Sequence, residues 1–129
     1  YGAFPTWLMP ILWKAKQPYN VNVAASVAAV AALEDIDYLQ RVVVQLVDER
    51  KRLFDALNDI SWLEPYPSSA NFVLCRVLGR DAGELKARLA SEHGIFIRYF
   101  NKPGLDDHIR ISVGMPEQVD VVVKALGKM

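Results

Sequence analysis

The run Ile95-Phe96-Ile97-Arg98-Tyr99-Phe100-Asn101-Lys102-Pro103-Gly104-Leu105-Asp106-Asp107-His108-Ile109-Arg110-Ile111-Ser112-Val113 decides how this chain folds. Side chains alternate between the two faces of a strand, so Phe96, Arg98 and Phe100 share one face while Ile97 and Tyr99 share the other. In Ile109 to Val113 the isoleucines and Val113 lie together, opposite Arg110 and Ser112. The intervening loop, Asn101 to Asp107, contains Pro103-Gly104, a turn signal. A hairpin folded about Gly104 therefore sets Arg98 opposite Arg110, with Ile97 and Tyr99 on the same side as Ile109, Ile111 and Val113.

Upstream of the hairpin, Glu84 to Glu92 reads as a helix with Leu85 and Leu89 inward and Gly94 as its left-handed stop. Before it, Asn71-Phe72-Val73-Leu74-Cys75-Arg76-Val77 is a strand by its β-branched and aromatic content, and the glycines from Gly79 to Gly83 turn the chain. Pro65-Tyr66-Pro67-Ser68-Ser69 ends the preceding helical pattern. That pattern is long, from about 37 to 59: Leu39, Val43, Leu46, Val47, Phe54 and Leu57 recur at three and four. Downstream, Pro116 opens a last helix with the stripe Val119, Val122, Val123 and Leu126. The fold predicted is α+β: a small, mainly antiparallel sheet (strands about 71–77, 95–100 and 108–113) with helices on one face, preceded by the long helix.

The N-terminal portion differs in character. A short apolar helix is expected from about Thr6, with Pro10 tolerated only in a first turn or at a kink. Gln17 to Asn22 is a connector, and Asn22 is placed to cap a helix over Val23 to Leu33 rich in alanine and valine. That run is short of the roughly 20 residues that cross a bilayer. Tyr1 to Trp13 lacks the basic leader and small-residue cleavage site of a signal peptide. The expectation is that residues 1–22 link to a larger domain and that 23–129 form a domain of their own.

Composition bounds the function. The chain has 129 residues, 52% of them hydrophobic and 23% charged, as in an ordinary globular domain. Its 15 basic and 15 acidic residues cancel, so no field of the whole molecule would gather nucleic acid or anionic membrane, and any recognition of an anion must be local. The mixed run Asp48-Glu49-Arg50-Lys51-Arg52 reads as a solvated helix face. Cys75, alternating within an apolar strand, reads as a small buried hydrophobe. His93 suits the negative end of a helix dipole, and two separated histidines with one cysteine make no metal set.

Arg98 and Arg110 are the informative pair. Adjacent guanidiniums repel unless an anion lies near them, and each matches carboxylate or phosphate through bidentate hydrogen bonds. The alternative is that both reach into water or pair with Asp106 or Asp107. Asn71 either adds an amide contact at the mouth of its strand or caps the preceding turn. Tyr19 and Asn20 either line a site or only turn the chain.

Lys16-Gln17-Pro18-Tyr19-Asn20-Val21-Asn22, Ser69-Ala70-Asn71-Phe72-Val73-Leu74, Ile97-Arg98-Tyr99-Phe100 and Ile109-Arg110-Ile111-Ser112-Val113-Gly114 together resemble the histidinol-phosphate aminotransferases, in that family's order and spacing. Tyr1-Gly2-Ala3-Phe4-Pro5 is similar to the stretch shortly after the family's active-site lysine. The connector and the Ser-Ala-Asn-Phe block look closer to plant or algal members.

The resemblance implies the C-terminal small domain of a fold-type-I, pyridoxal-phosphate-dependent transaminase that works as a homodimer. It implies transfer of an amino group between histidinol phosphate and 2-oxoglutarate, with glutamate formed, in histidine biosynthesis. By the same resemblance Arg110 matches the arginine that holds the substrate α-carboxylate, and Arg98 the one near the substrate phosphate. Tyr19 and Asn20 match the loop lining the site, and Asn71 joins them as a substrate-binding candidate.

The catalytic lysine and the pyridoxal-phosphate site would lie in the large domain, so residues 1–129 alone are expected to hold no catalytic, cofactor or metal ligand and to be inactive. Lys14, Lys16, Lys51, Lys86, Lys102, Lys124 and Lys128 all fall outside the family's lysine motif. The setting implied is cytoplasm, or plastid stroma for a plant or alga, without nucleic acid or membrane as partner. Two readings compete with it: a related aminotransferase acting on an aromatic or another phosphorylated amine, and a non-catalytic α+β module that binds anions.

Overall fold

A computed structural model describes residues 2–18 and 21–129. In chain order the elements are α1 (Met9–Ala15), α2 (Val23–Glu34), α3 (Ile36–Asn58), β1 (Leu63–Pro65), β2 (Phe72–Val77), α4 (Ala82–His93), β3 (Arg98–Tyr99), β4 (His108–Ser112) and α5 (Pro116–Leu126). Contacts divide the chain into two units, residues 1–39 and 40–129.

In the first unit, α1 begins at Met9 instead of about Thr6, with Pro10 in its first turn, where a missing N–H costs nothing. Asn22 caps α2 as its position predicts, its side chain accepting from Ala25 N at 2.8 Å. Apolar all round, α2 buries none of its residues. Asp35 alone separates it from α3, and its carboxylate accepts from Tyr38 N at 3.1 Å to start that helix.

The second unit is the α+β layer predicted. Its sheet is antiparallel throughout, with strand order β1-β2-β4-β3. Period-two burial puts Val73, Cys75 and Val77 of β2 and Ile109 and Ile111 of β4 inside. They pack against Leu53 and Leu57 of α3, Leu85 and Leu89 of α4, and Val119 and Leu126 of α5. Complete burial of a leucine contributes about 1.5–3 kcal/mol, and Leu53, Leu57, Leu89 and Leu126 are all fully buried. With helices on one side only, the opposite face of the sheet is left for polar groups.

Two features differ from the expectation. The sheet has a fourth strand, β1, whose three residues include Pro65; it sits at the edge, where proline forfeits no ladder bond. The strand expected over 95–100 pairs only at Arg98 and Tyr99, because Ile95 still serves the end of α4, its N–H donating to Leu89 O at 3.0 Å. The strand expected over about 71–77 is borne out as Phe72–Val77, and Asn71 O still accepts from Val113 N at 2.9 Å.

Candidate substrate-binding face

The site builds from register. β2 pairs with β4 through Phe72↔Ser112, Leu74↔Arg110 and Arg76↔His108, and β3 pairs with β4 through Arg98↔Arg110. The two arginines are thus direct cross-strand partners on the sheet face that the helices leave open, where opposed Cβ atoms lie about 4.5–5.5 Å apart. Leu74 completes their row.

Among the described residues no carboxylate neutralises them. Asp107, the acid best placed by sequence, is bonded by Arg76 Nε at 2.6 Å, and this holds its carboxyl below the usual range. Among the described residues neither Arg98 nor Arg110 has an ion pair or a hydrogen-bond acceptor, and Arg110 Nε is buried without a partner. Their contacts are aromatic: the Arg110 guanidinium carbon lies 5.0 Å from the Phe72 ring centre, and that of Arg98 5.7 Å from Phe100. A buried polar group left without a partner costs about 1–3 kcal/mol, more when charged. A ring contact returns roughly 0.5–2 kcal/mol. The free protein therefore holds a partly uncompensated cation, which an anionic ligand would relieve.

Other arginines are spent on structure. Arg52 pairs with Glu49 on α3 and reaches Asp120 and the Pro116 carbonyl on α5. Arg88 pairs with Glu92 at 2.9 Å. Arg80 lies 4.3 Å from the Trp62 ring centre and donates to Met129 O at 2.6 Å.

The remaining candidates fare differently. Tyr19 and Asn20 lie outside the described residues. Asn71 has the strand parity of Val73 and Cys75, away from the arginines, and is exposed at the start of β2. Cys75 is fully buried, and burial pushes its thiol up to about 12.

Sequence reasoning missed the groups that fix the site's floor. The Ser68 hydroxyl donates to Phe72 O at 2.6 Å, and Arg50 Nη1 donates to Ala70 O at 3.0 Å. Arg50 thus leaves the solvated face assigned to it and anchors the loop before β2. Phe72 itself was legible: it shares the parity of Leu74 and Arg76, opposite the core. Gly114, which ends the Arg-Ile-Ser-Val-Gly block, answers to packing. A Cβ there would fall 2.6 Å from Gln118 Oε1, the atom that accepts from Met115 N at the start of α5.

Relatives carry the same segment. A histidinol-phosphate aminotransferase of Nicotiana tabacum, chloroplastic by its name, is 51% identical over 127 residues, 98% of this chain and 30% of its own length. Another histidinol-phosphate aminotransferase, from Roseiflexus castenholzii, is 50% identical over 128 residues, 98% of this chain and 34% of its own length. Among solved structures, the histidinol-phosphate aminotransferase of Sinorhizobium meliloti in complex with pyridoxal-5'-phosphate superposes with a TM-score of 0.78 at 34% identity, covering 92% of this chain and 32% of that one. The chain thus spans about a third of the length of the curated relatives it matches. The aminotransferase class I and II profile matches residues 1–126, and the chain belongs to that family.

Proposed function

We propose that these residues are the substrate-gripping small domain of a pyridoxal-phosphate-dependent histidinol-phosphate:2-oxoglutarate aminotransferase. The observation that carries the reading is the Arg98↔Arg110 pair without an acid among the described residues. Two forks in one row suit a reaction whose partners carry a phosphate on one side and carboxylates on the other. Arg110 holds the α-carboxylate of glutamate, and Arg98 takes the substrate phosphate or the distal carboxylate. Tyr19 and Asn20 complete the wall of the site, and Asn71, whose parity turns it from the arginines, meets the substrate only from the exposed mouth of β2.

The residues present do not suit the cofactor itself. All seven lysines are exposed, and Lys51 is bonded to Asp55 at 2.5 Å; none is desolvated in the way that prepares a lysine for covalent chemistry. We place the cofactor and the catalytic lysine on the larger share of polypeptide that the relatives possess, with the working enzyme a homodimer and residues 1–129 inactive by themselves. The family's plant members, chloroplastic by name, and its bacterial ones favour plastid stroma or cytoplasm. No helix among the described residues is long and apolar enough to cross a membrane.

The test is made in the complete enzyme with histidinol phosphate and unphosphorylated histidinol as paired substrates. Loss of a charged hydrogen-bonding group costs about 1.5–3 kcal/mol, roughly ten- to hundredfold in affinity. Arg98→Ala should raise KM for the phosphorylated amine by that factor and leave the unphosphorylated one unchanged. Equal effects on both, or none on either, would defeat the assignment.

A further inference from the structure

Arg110 is held by a ring, as Arg98 beside it is, where Arg76 and Arg52 are held by acids. On the same face Arg76 is tied to Asp107, and on the helical side Arg52 is tied to Glu49 and Asp120. Both are anchored, and both are neutralised by their anchors. Arg110 has instead Leu74 directly across the ladder and Phe72 on the diagonal, with the Phe72 ring centre 5.0 Å from its guanidinium carbon.

The platform is itself fixed from both sides. Phe72 pairs with Ser112 in the ladder, and its carbonyl accepts from Ser68 Oγ at 2.6 Å. The same hydroxyl accepts from Ala70 N at 3.1 Å, and Arg50 fastens the Ala70 carbonyl at 3.0 Å. Two loop residues, Ser68 and Ala70, together with Arg50 of α3 thereby fix the backbone that carries the ring. The negative face of an aromatic ring attracts a cation while supplying no formal charge. A carboxylate in that position would anchor Arg110 more strongly and consume the fork.

We propose that Phe72 is a positioning residue for Arg110: its ring fixes the guanidinium without neutralising it, so that the fork reaches a substrate carboxylate already ordered and still charged. This rests on the anion-gripping reading given above. Its consequence lies in binding: the ordering cost is met before the carboxylate arrives, which lowers KM and leaves the chemical step untouched.

The ring's electrostatics can be varied without its shape by placing mono-, di-, tri- and pentafluorophenylalanine at position 72 of the complete enzyme, with glutamate as the probe. KM for glutamate should climb stepwise with fluorination, to roughly three- to fivefold at the pentafluoro ring, with kcat unchanged. The same series in an Arg110→Gln background should be flat, because no cation remains for the ring to hold. A flat series in the native background overturns the proposal, as does a rise that survives Arg110→Gln. The single variant Arg110→Gln separates the two layers of argument. Unchanged KM for glutamate there refutes the anion grip itself, whereas a raised KM beside a flat fluorination series refutes only the role of Phe72.

Discussion

At the scale of single residues, burial decides which chemistry a side chain keeps. Cys75 is the chain's one cysteine, fully buried between Pro65 and Ile109 in the ladder. Loss of solvation penalises the thiolate and raises the thiol to about 12. In the unfolded chain it titrates near its ordinary value of about 8.5. A raised folded value means that the stability gained by keeping the thiol neutral is complete below the unfolded pKa and is lost as pH rises from there toward the folded one. At pH 8 the native protein should therefore leave a thiol-reactive disulfide reagent unconsumed over minutes, while the chain in guanidinium chloride releases one equivalent. Rapid stoichiometric reaction of the native protein would contradict the burial. Arg110 shows the opposite economy. It carries a buried nitrogen without a partner, yet the residue as a whole is only half-buried. The difference between inert and available lies in the neighbours.

At the scale of elements, caps and registers carry the arginines to one face. Helix α4 ends in Gly94 at φ 66, whose N–H donates to Ala90 O at 3.2 Å, and Ile95 closes the turn onto Leu89 O. A Cβ at Gly94 would meet nothing within 4 Å, so the cost of Gly94→Ala is that of the left-handed backbone alone, about 1–2 kcal/mol. Urea unfolding should show a lower midpoint at unchanged slope. A neutral result would mean that the cap relaxes without loss. The cap matters to the site because it launches the chain toward β3, where Arg98 meets Arg110. This pairing was legible from the sequence, since alternation in both strands and a turn at Gly104 favour the register that turns the isoleucines of both strands to one face. Strand β1 was not legible: Leu63-Glu64-Pro65 is too short for a period to emerge, and its proline argues for a turn unless the residue lies at an edge. The narrowing of β3 was hidden because Phe96 and Ile97 have strand propensity, while their backbone follows from a helix cap two residues earlier. Arg50 was concealed by its charged neighbours, which do face water: Lys51 pairs with Asp55, and Arg52 with Glu49.

At the scale of the whole molecule, on the proposed reading, the 129 residues hold recognition without reactivity. The formal charge is zero, so on that reading any attraction for an anionic substrate has to come from the uncompensated arginine row. The amines follow a different rule from the thiol and the arginines. A lysine made for covalent chemistry is desolvated or crowded by another cation, which lowers its pKa and concentrates reactivity on one site. Here every lysine is exposed, and none is set apart by desolvation. Incubation of residues 1–129 with pyridoxal phosphate, reduction with borohydride and peptide mass spectrometry should give low, scattered labelling over several lysines, with no transaminase activity. In the complete enzyme the same procedure should modify a single lysine outside this segment at full occupancy. One dominant label on Lys14, Lys16, Lys51, Lys86, Lys102, Lys124 or Lys128, abolished by replacing that residue with alanine, would move the reactive centre into this domain and undo the division of labour, because a grip and a catalytic amine would then share one sheet.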